Sequence, residues 1–305
     1  MNLPQVIQYC LSGITEGSIY AIVAIGFNII YNTTGIINFA QGEFLIVGAM
    51  SAISLNAILP TLGLSEALSL PVAIVLAVMI TTILGGLVEL VFIRRVSNPS
   101  VLRLIVITIG ISILIREAML HIWDEKVRSL PYFTGNEVST VGIFGAHISP
   151  QSLWVLGISA VIVAGLTLFF RFTAIGRAMR ACADDRMAAR LCGINDRWMV
   201  TLSFMLSAGI GALAGCAISP ITQTQYDMGA PLAIKGFTVA ILGGLGNSMA
   251  AIAAGLMLGL LEALTTSQFP VAYKEAVSIV VLLLILVFRP SGLFGRREMG
   301  SLRAF

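Results

Sequence analysis

Long apolar stretches separated by short polar segments dominate the pattern of this 305-residue chain. A helix needs about 20 apolar residues to cross a bilayer. A membrane β-barrel would instead show alternating segments of about ten residues. The pattern therefore predicts an all-α, polytopic membrane protein, with apolar helices near 6–31, 36–58, 69–93, 102–120, 151–170, 200–218, 249–266 and 275–289 and a weaker, glycine-broken one near 231–246.

Composition supports the membrane assignment. Apolar residues make up 57% of the chain and charged residues only 11%, whereas a soluble domain carries about 25% charged residues. The apolar runs are rich in glycine, alanine and serine, which let helices pack closely in lipid. No linker or low-complexity run divides the sequence, so we expect a single transmembrane domain over residues 1–305.

The arginines predict the orientation. No Lys or Arg precedes Arg94, so the first apolar stretch lacks the positive flank of a signal peptide and is expected to remain as a span. Positively charged loops stay in the cytoplasm. This rule places three clusters inside: Arg94, Arg95 and Arg103; Arg171, Arg177, Arg180, Arg186, Arg190 and Arg197; and Arg289, Arg296, Arg297 and Arg303.

The alternation of inside and outside segments then fixes the number of crossings. It predicts nine, within a range of eight to ten, with the N-terminus outside and the C-terminus cytoplasmic. This count requires the irregular 231–246 run to cross the membrane. A re-entrant 36–58 or 231–246 would change it, so one or two broken segments are part of the prediction.

A first candidate for the solute pathway is a polar turn at Tyr31–Gly35 followed by an apolar helix that contains amide and carboxyl side chains. A span starting at residue 36 places Glu43 roughly 12 Å deep, because each helical residue rises 1.5 Å. An ionisable group at that depth typically marks a pathway, although a hydrogen-bonded packing cluster is the alternative. The candidate residues are Asn38, Gln41, Gly42 and Glu43.

A second candidate is the glycine-rich stretch 238–248, which is expected to interrupt a regular helix. Irregular backbone in a membrane must be covered by protein or water, so the stretch predicts a gate or pore lining, or else close helix packing. It lacks the Lys-Ser/Thr ending of a phosphate-binding loop. The candidate residues are Thr238, Gly243, Gly244 and Asn247.

The arginine-rich segment 172–199 predicts a short helix at 176–195 with a stripe of small residues, suited to a partner's groove; an amphipathic helix on the lipid headgroups is the alternative. Arg180 and Asp184 can pair at i,i+4, and Gly193 supplies a helix stop. The candidate contact residues are Gly176, Arg177, Arg180, Ala181, Asp184, Asp185, Ala188, Arg190 and Gly193.

The segment 121–150 is the longest connection expected outside. It combines aromatic and charged side chains with a glycine-rich part, which suits a polar docking surface. A passive connector is the alternative. Further on, Gly86–Glu89 and Gly259–Glu262 share a four-residue pattern, which is weak support for an inverted repeat; chance is the alternative. Glu89 and Glu262 are expected near membrane ends, either solvated or paired.

Catalytic and metal-binding functions have little support. The four cysteines form no CxxC pair, the only histidines are His121 and His147, and no hydrolase or metalloprotease motif is present. No cofactor or metal is expected. An ion-coupled secondary transporter, with Glu16, Glu43 and Asp227 as carriers, is an alternative that gradient-driven uptake without ATP would identify.

Taken together, several stretches resemble the shorter permease subunit of bacterial branched-chain amino-acid ABC importers. The similarity covers nearly the whole chain, although many relatives carry His where this sequence has Gln41, which disfavours proton chemistry there. The matching stretches are 17–21, 37–44, 176–182, 193–195, 240–246 and 289–295.

The resemblance implies a permease of the inner membrane that transports branched-chain amino acids by alternating access. It also implies a second permease, two cytoplasmic ATPases and an external solute-binding protein as partners, with segment 176–195 coupling the ATPases to the pore. Because related permeases move urea, short amides and other small acids, these solutes remain an alternative.

Overall fold

The computed structural model describes residues 3–96, 100–136, 138–143, 146–270, 273–289 and 292–293. Helices dominate the described part of the chain: α1 Leu3–Thr34, α2 Gln41–Ile58, α3 Glu66–Val88, α4 Val101–Trp123, α5 Pro150–Phe172, α6 Ala174–Asp184, α7 Arg186–Leu191, α8 Asp196–Thr222, α9 Gly229–Gly243, α10 Ser248–Gln268 and α11 Tyr273–Phe288. A 3₁₀ turn follows α2 at Leu59–Leu62, and a π-helical turn follows α3 at Glu89–Ile93.

Each predicted apolar run overlaps one of these helices, which confirms the all-α polytopic fold. Among the residues that the structure describes, six helices are long and apolar enough to cross a membrane: α1, α2, α3, α5, α8 and α10, the second and third together with the turns that follow them. The glycine-rich α9 is a shorter apolar helix. The exact number of crossings and the orientation stay predictions, and Arg296, Arg297 and Arg303 lie outside the described residues.

Polar caps set several helix boundaries, because a side-chain oxygen can satisfy the free N–H groups of the first turn. Ser100, Ser149 and Thr173 cap α4, α5 and α6. Asn195 and Asn247 cap α8 and α10 in the same way. These caps define where the five helices begin.

Glycine contacts hold the centre of the bundle together. A side chain added at Gly17 would lie 2.6 Å from the carbonyl oxygen of Gly255, and one at Gly259 would lie 2.3 Å from that of Gly13. Helices α1 and α10 therefore pack backbone to backbone, as the small residues predict. Helix α1 is buried on all sides from Ile19 to Ile30 and also contacts α5, α8 and α9.

The connection between α4 and α5 is packed against the bundle. Its hairpin pairs β1 Val141–Ile143 with β2 Ala146–Ile148 in antiparallel register. Gln8 of α1 exchanges two hydrogen bonds with the backbone of His147, at 2.7 and 2.8 Å. Earlier in the connection, the N–H of Leu130 donates to Ser219 Oγ at 3.2 Å.

Candidate solute pathway and coupling surface

The break between α1 and α2 lies later in the chain than predicted. Tyr31–Thr34 continue α1, and the non-helical residues are 35–40, because Gly35 adopts a left-handed φ of +71°. Asn38 stabilises this connection, since its Oδ1 accepts from the N–H of Ala40 at 3.2 Å. The Asn38 side chain is fully buried, and its Nδ2 has no hydrogen-bond partner in the described part of the chain.

Gln41, the first residue of α2, joins three helices. Its Nε2 donates to the carbonyl oxygen of Ser207 on α8 at 3.2 Å. The Ser207 hydroxyl lies 2.6 Å from Gln41 Oε1 and 2.9 Å from the carbonyl oxygen of Gly26 on α1. Gln41 therefore acts as a packing link within this subunit, which matches the alternative considered for this cluster.

Gly42 and Glu43 lie where the starts of α2 and α9 meet. A Cβ at Gly42 would lie only 2.0 Å from the carbonyl oxygen of Gly229, so glycine is required for this approach. The fully buried Glu43 accepts from Ser112 Oγ at 3.0 Å through Oε1. Its Oε2 has no hydrogen-bond partner among the described residues.

The neighbours of Glu43 indicate its depth. Ser112 is the central residue of α4, and Ser207, beside Gln41, lies in the central part of α8. Glu43 is only the third residue of α2, so the depth counted from residue 36 rested on a wrong helix start. The return of residues 35–40 nevertheless brings it to the middle of the bundle.

The second predicted break is also displaced. Thr238 and Gly243 belong to the regular helix α9, and the irregular backbone is confined to 244–247, where Gly244 and Gly246 have φ values of +97° and +89°. The Thr238 hydroxyl donates within its own helix, to the carbonyl oxygen of Ile234 at 2.9 Å. Asn247 is exposed and caps α10.

Two asparagines of α1 hold this turn. Asn28 Oδ1 accepts from the N–H of Gly246 at 3.0 Å, and Asn32 Nδ2 donates to its carbonyl oxygen at the same distance. Both predicted breaks therefore lie beside α1: Gln41 is linked through Ser207 to Gly26, and the 244–247 turn bonds Asn28 and Asn32. The structure brings Gln41 and Glu43 into the bundle and leaves Asn247 at its edge.

A charged cluster that the sequence analysis missed lies between α1, α9, α10 and α11. Lys235 Nζ is 3.3 Å from Glu262 Oε2 and 3.2 Å from Tyr20 OH. Tyr20 donates to the same carboxylate oxygen at 2.9 Å, and Ser278 donates to the other one. The signal was available, since Lys235 is a lone cation within an apolar run.

Two further ion pairs involve the first residues of α11. Lys235 lies 3.7 Å from Glu275, and Lys274 pairs with Glu16 at 2.5 Å. Elsewhere, the buried Glu89 accepts from Thr201 Oγ1 at 2.7 Å. Glu89 and Glu262 are therefore both paired, one of the two states considered for them.

The arginine-rich segment forms two helices rather than the single one predicted. The chain breaks at Asp185, whose carboxylate accepts from the N–H groups of Met187 and Ala188 and so starts α7. Gly193 has a φ of +81°, which confirms the predicted stop. The Arg180–Asp184 pair does not form within the described part of the chain; Arg190 instead binds Asp196 at 2.6 Å.

One face of α6–α7 packs on the bundle and the other is exposed. Gly176, Met179, Cys182 and Ala189 are buried, and this burial raises the pKa of the Cys182 thiol. Arg177, Arg180, Asp184, Asp185 and Ala188 are exposed, and Ala181 is half-buried, so the predicted small-residue stripe is not a single face. Met187 and Leu191 are 67% and 84% exposed, giving an apolar patch beside arginines.

No group of three or more His, Cys, Asp or Glu side chains suited to a metal ion occurs among the described residues. The buried carboxylates instead contact hydroxyl groups, a lysine and an arginine. This arrangement can bind polar groups and stabilise helix contacts.

Comparison with known families gives a match over nearly the whole bundle. The profile of the family described as the permease component of the branched-chain amino acid transport system matches residues 9–286. That range contains α2 and α6 to α10 in full, and so all the candidate residues above.

Individual relatives agree with the family match. The high-affinity branched-chain amino acid transport system permease proteins BraD of Pseudomonas aeruginosa and LivH of Escherichia coli are each 34% identical to this chain. The alignments cover 96% of this chain and 97% and 96% of those proteins. A probable branched-chain amino acid transport permease protein LivH of Methanocaldococcus jannaschii is 26% identical over 92% of this chain and 90% of its own length.

Proposed function

Because this chain belongs to the family of permease components of branched-chain amino acid transport systems, we propose that it forms part of the membrane pore of an ATP-driven importer for branched-chain amino acids. The end-to-end similarity to high-affinity branched-chain amino acid permeases carries this proposal. Urea, short amides and other small acids have no such support from these relatives.

The chain is a multi-pass membrane subunit and is proposed to work with a second permease, two cytoplasmic ATPases and an external solute-binding protein. The exposed face of α6–α7 supports a contact with the ATPases. Met187 and Leu191 offer apolar contacts next to the exposed Arg177, Arg180 and Arg186. The ion pair Arg190–Asp196 links α7 to the start of α8. A displacement of α7 would therefore be transmitted to α8, a long helix of the bundle.

In the proposed cycle, the binding protein delivers solute at the outer face, and closure of the ATPases moves α6–α7. Helix α8 contacts α1, α2 and α3, and Ser207 on α8 bonds Gln41 at the start of α2. Movement of α8 would therefore shift the α1–α2 connection, which contains Asn38, and the start of α2, which contains Gly42 and Glu43. This chain of contacts supports those residues as the gate.

The first test is purification of the tagged chain from its native membrane, followed by mass spectrometry and reconstitution. We expect a second permease and ATPases to co-purify, and leucine-loaded binding protein to stimulate ATP hydrolysis. If the chain purifies alone and takes up leucine under an imposed ion gradient without ATP, the ion-coupled alternative with Glu16, Glu43 and Asp227 replaces the importer.

The coupling role of α6–α7 has its own test. Arg180→Glu reverses an exposed charge, and Gly193→Pro is incompatible with a φ of +81° because proline fixes φ near −65°. Both variants should lower ATP-driven uptake while the protein remains in the membrane. Unchanged coupled uptake in both would remove the coupling assignment; Gly110→Ala, at a position with open space around it, is the control for a silent change.

The proposed orientation puts α6–α7 in the cytoplasm, the N-terminus outside and the 121–150 connection outside as a docking surface. Cys192 is exposed on the α7 side. In right-side-out vesicles, a membrane-impermeant maleimide should label Cys192 only after permeabilisation. Labelling of Cys192 in intact vesicles would show that the orientation is the reverse of the one proposed.

A further inference from the structure

A cavity of about 410 Å³ opens between α1, α5, α6 and α10, away from the Gln41–Glu43 site. Its inner wall is apolar: Ile25 and Ile29 of α1 are almost fully buried, and Leu166 of α5 and Ile252 of α10 complete the wall. Met249, which is 63% exposed, lies at the rim and shows that the cavity reaches the surface. Ligand sites have volumes of about 300–1,000 Å³, so the space is large enough for an acyl chain.

The mouth of this cavity is basic. Arg171 lies in the last turn of α5 and Arg180 lies in α6, so the two side chains flank the corner at Thr173. Neither arginine forms an ion pair within the part of the chain that the structure describes. Thr167 and Ser248 add hydroxyl groups to the lining.

An apolar cavity flanked by Arg171 and Arg180, neither of which forms an ion pair among the described residues, matches the chemistry of an anionic phospholipid. The acyl chain would fill the apolar part, and the guanidinium groups would bind the phosphate, for which arginine is well suited. Basic sites between transmembrane helices on the cytoplasmic side are suited to anionic headgroups. Under the proposed orientation, both arginines face the cytoplasmic leaflet.

We propose that this cavity is a binding site for an anionic phospholipid of the cytoplasmic leaflet. Three lining residues belong to α6: Met179, Arg180 and Ala183. A bound lipid would therefore join the coupling helix to α5 and α10. The inference goes beyond the transport function, because lipid occupancy is measured without solute, ATP or partner subunits.

The charge test compares matched variants in the purified full-length chain. After exchange through nanodiscs of phosphatidylcholine and phosphatidylglycerol, native mass spectrometry measures the phosphatidylglycerol that remains bound. Each arginine near a membrane surface contributes about 1 kcal/mol, so Arg171→Gln or Arg180→Gln should lower affinity about 5-fold and the double variant about 30-fold. Arg186→Gln removes the same charge from α7, outside the cavity, and should have no effect.

The shape test leaves the charge unchanged. Val163→Trp fills the cavity, whereas Val161 on the same helix is 71% exposed and does not line it, so Val161→Trp is the matched control. Val163→Trp should abolish selective retention of phosphatidylglycerol, and Val161→Trp should not. Phosphatidylglycerol with a photoreactive acyl chain should label the wild-type peptide around residues 163–170, which keeps the test valid if the tryptophan variant misfolds.

Three outcomes would overturn the proposal. The first is equal retention of phosphatidylcholine and phosphatidylglycerol by the wild type. The second is wild-type retention in the double arginine variant, or an equal loss in Arg186→Gln. The third is a photo-crosslinker at position 163 that captures the second permease in the complete complex, which would make the cavity a protein interface. Because Arg171 is not among the proposed ATPase contacts, loss of lipid in Arg171→Gln with normal coupling separates this site from the transport proposal.

Discussion

Two glutamates in the membrane bundle are equally buried but differ in their partners. Glu262 is saturated: Lys235, Tyr20 and Ser278 all contact its carboxylate. Glu43 receives one hydrogen bond, from Ser112, and its Oε2 has no partner among the described residues. Both side chains are 0% exposed.

The difference separates a structural carboxylate from a functional one. A buried ion pair with further hydrogen bonds fixes helix positions, and removing one partner leaves an uncompensated charge. A buried polar atom without a partner is costly and therefore calls for a functional explanation. Glu262 thus acts as a joint between α1, α9, α10 and α11, and Glu43 stays the stronger candidate for solute contact or gating.

The largest expected effect comes from removing the Lys235–Glu262 ion pair. Lys235→Met should lower the free energy of unfolding by about 3–5 kcal/mol, because it leaves the buried carboxyl group of Glu262 without its cationic partner. Thermal unfolding of the detergent-purified chain, followed by size-exclusion fluorescence, measures the loss. The double variant Lys235→Met/Glu262→Gln should recover most of it, since it removes the unpaired charge. No recovery in the double variant would mean that packing, and not charge, dominates at Lys235.

The second effect concerns the close approach that brings Glu43 to α9. Gly42→Ala would place a methyl group 2.0 Å from the carbonyl oxygen of Gly229, and overpacking of this kind costs about 1–3 kcal/mol. The same unfolding assay applies. Gly110→Ala on α4 is the matched control, because nothing lies within 4 Å of the added methyl group. Equal stability of the two variants would show that α2 and α9 separate easily.

The third effect should appear in transport rather than in stability. Glu43→Gln keeps the hydrogen bond to Ser112, so the free energy of unfolding should change by about 1 kcal/mol or less. Uptake by the reconstituted complex should fall about 10-fold or more, equal to about 1.4 kcal/mol. A stable protein with reduced uptake is the expected signature.

Ser112→Ala is the converse control, because it removes the hydrogen bond that Glu43→Gln keeps and leaves the carboxylate in place. We expect it to retain most of the uptake. If Glu43→Gln transports normally but unfolds as readily as Lys235→Met, then the two glutamates play the same structural role and the comparison fails.

The smallest effect concerns two cysteines near α7 and leaves the fold unchanged. Cys192 is exposed, whereas Cys182 is 3% exposed and burial raises the pKa of its thiol. At neutral pH, a maleimide should react with Cys192 well before Cys182, and reaction at Cys182 should increase as pH rises because more thiolate forms. Peptide mass spectrometry of labelled protein measures the ratio of the two labelling rates. The Cys192→Ser variant removes the fast reaction, so the slow reaction at Cys182 can be followed by itself. Equal rates would mean that α6 detaches from the bundle, which would weaken its link to the Glu43 region.

Local sequence signals determined much of the fold. Apolar runs of about 20 residues predicted the transmembrane helices, since a helix of that length is needed to cross the bilayer. Gly193 predicted its stop, because a positive φ suits glycine. The same local logic was less reliable where one residue decides between continuing and breaking a helix. Tyr31–Thr34 therefore extended α1, and Asp185 divided the coupling segment into α6 and α7.

Contacts between residues far apart in sequence became visible once the helices were packed in three dimensions. Tyr20 and Glu262 are 242 residues apart, and Gln41 and Ser207 are 166 apart, so no local pattern joins them. The pattern of residues was enough to identify Glu43 and Glu262 as ionisable groups within apolar runs. Helix packing determines that Glu262 meets a lysine, a tyrosine and a serine, while Glu43 has one oxygen without a partner among the described residues. The reason is that side-chain partners depend on which helices are neighbours and at what depth.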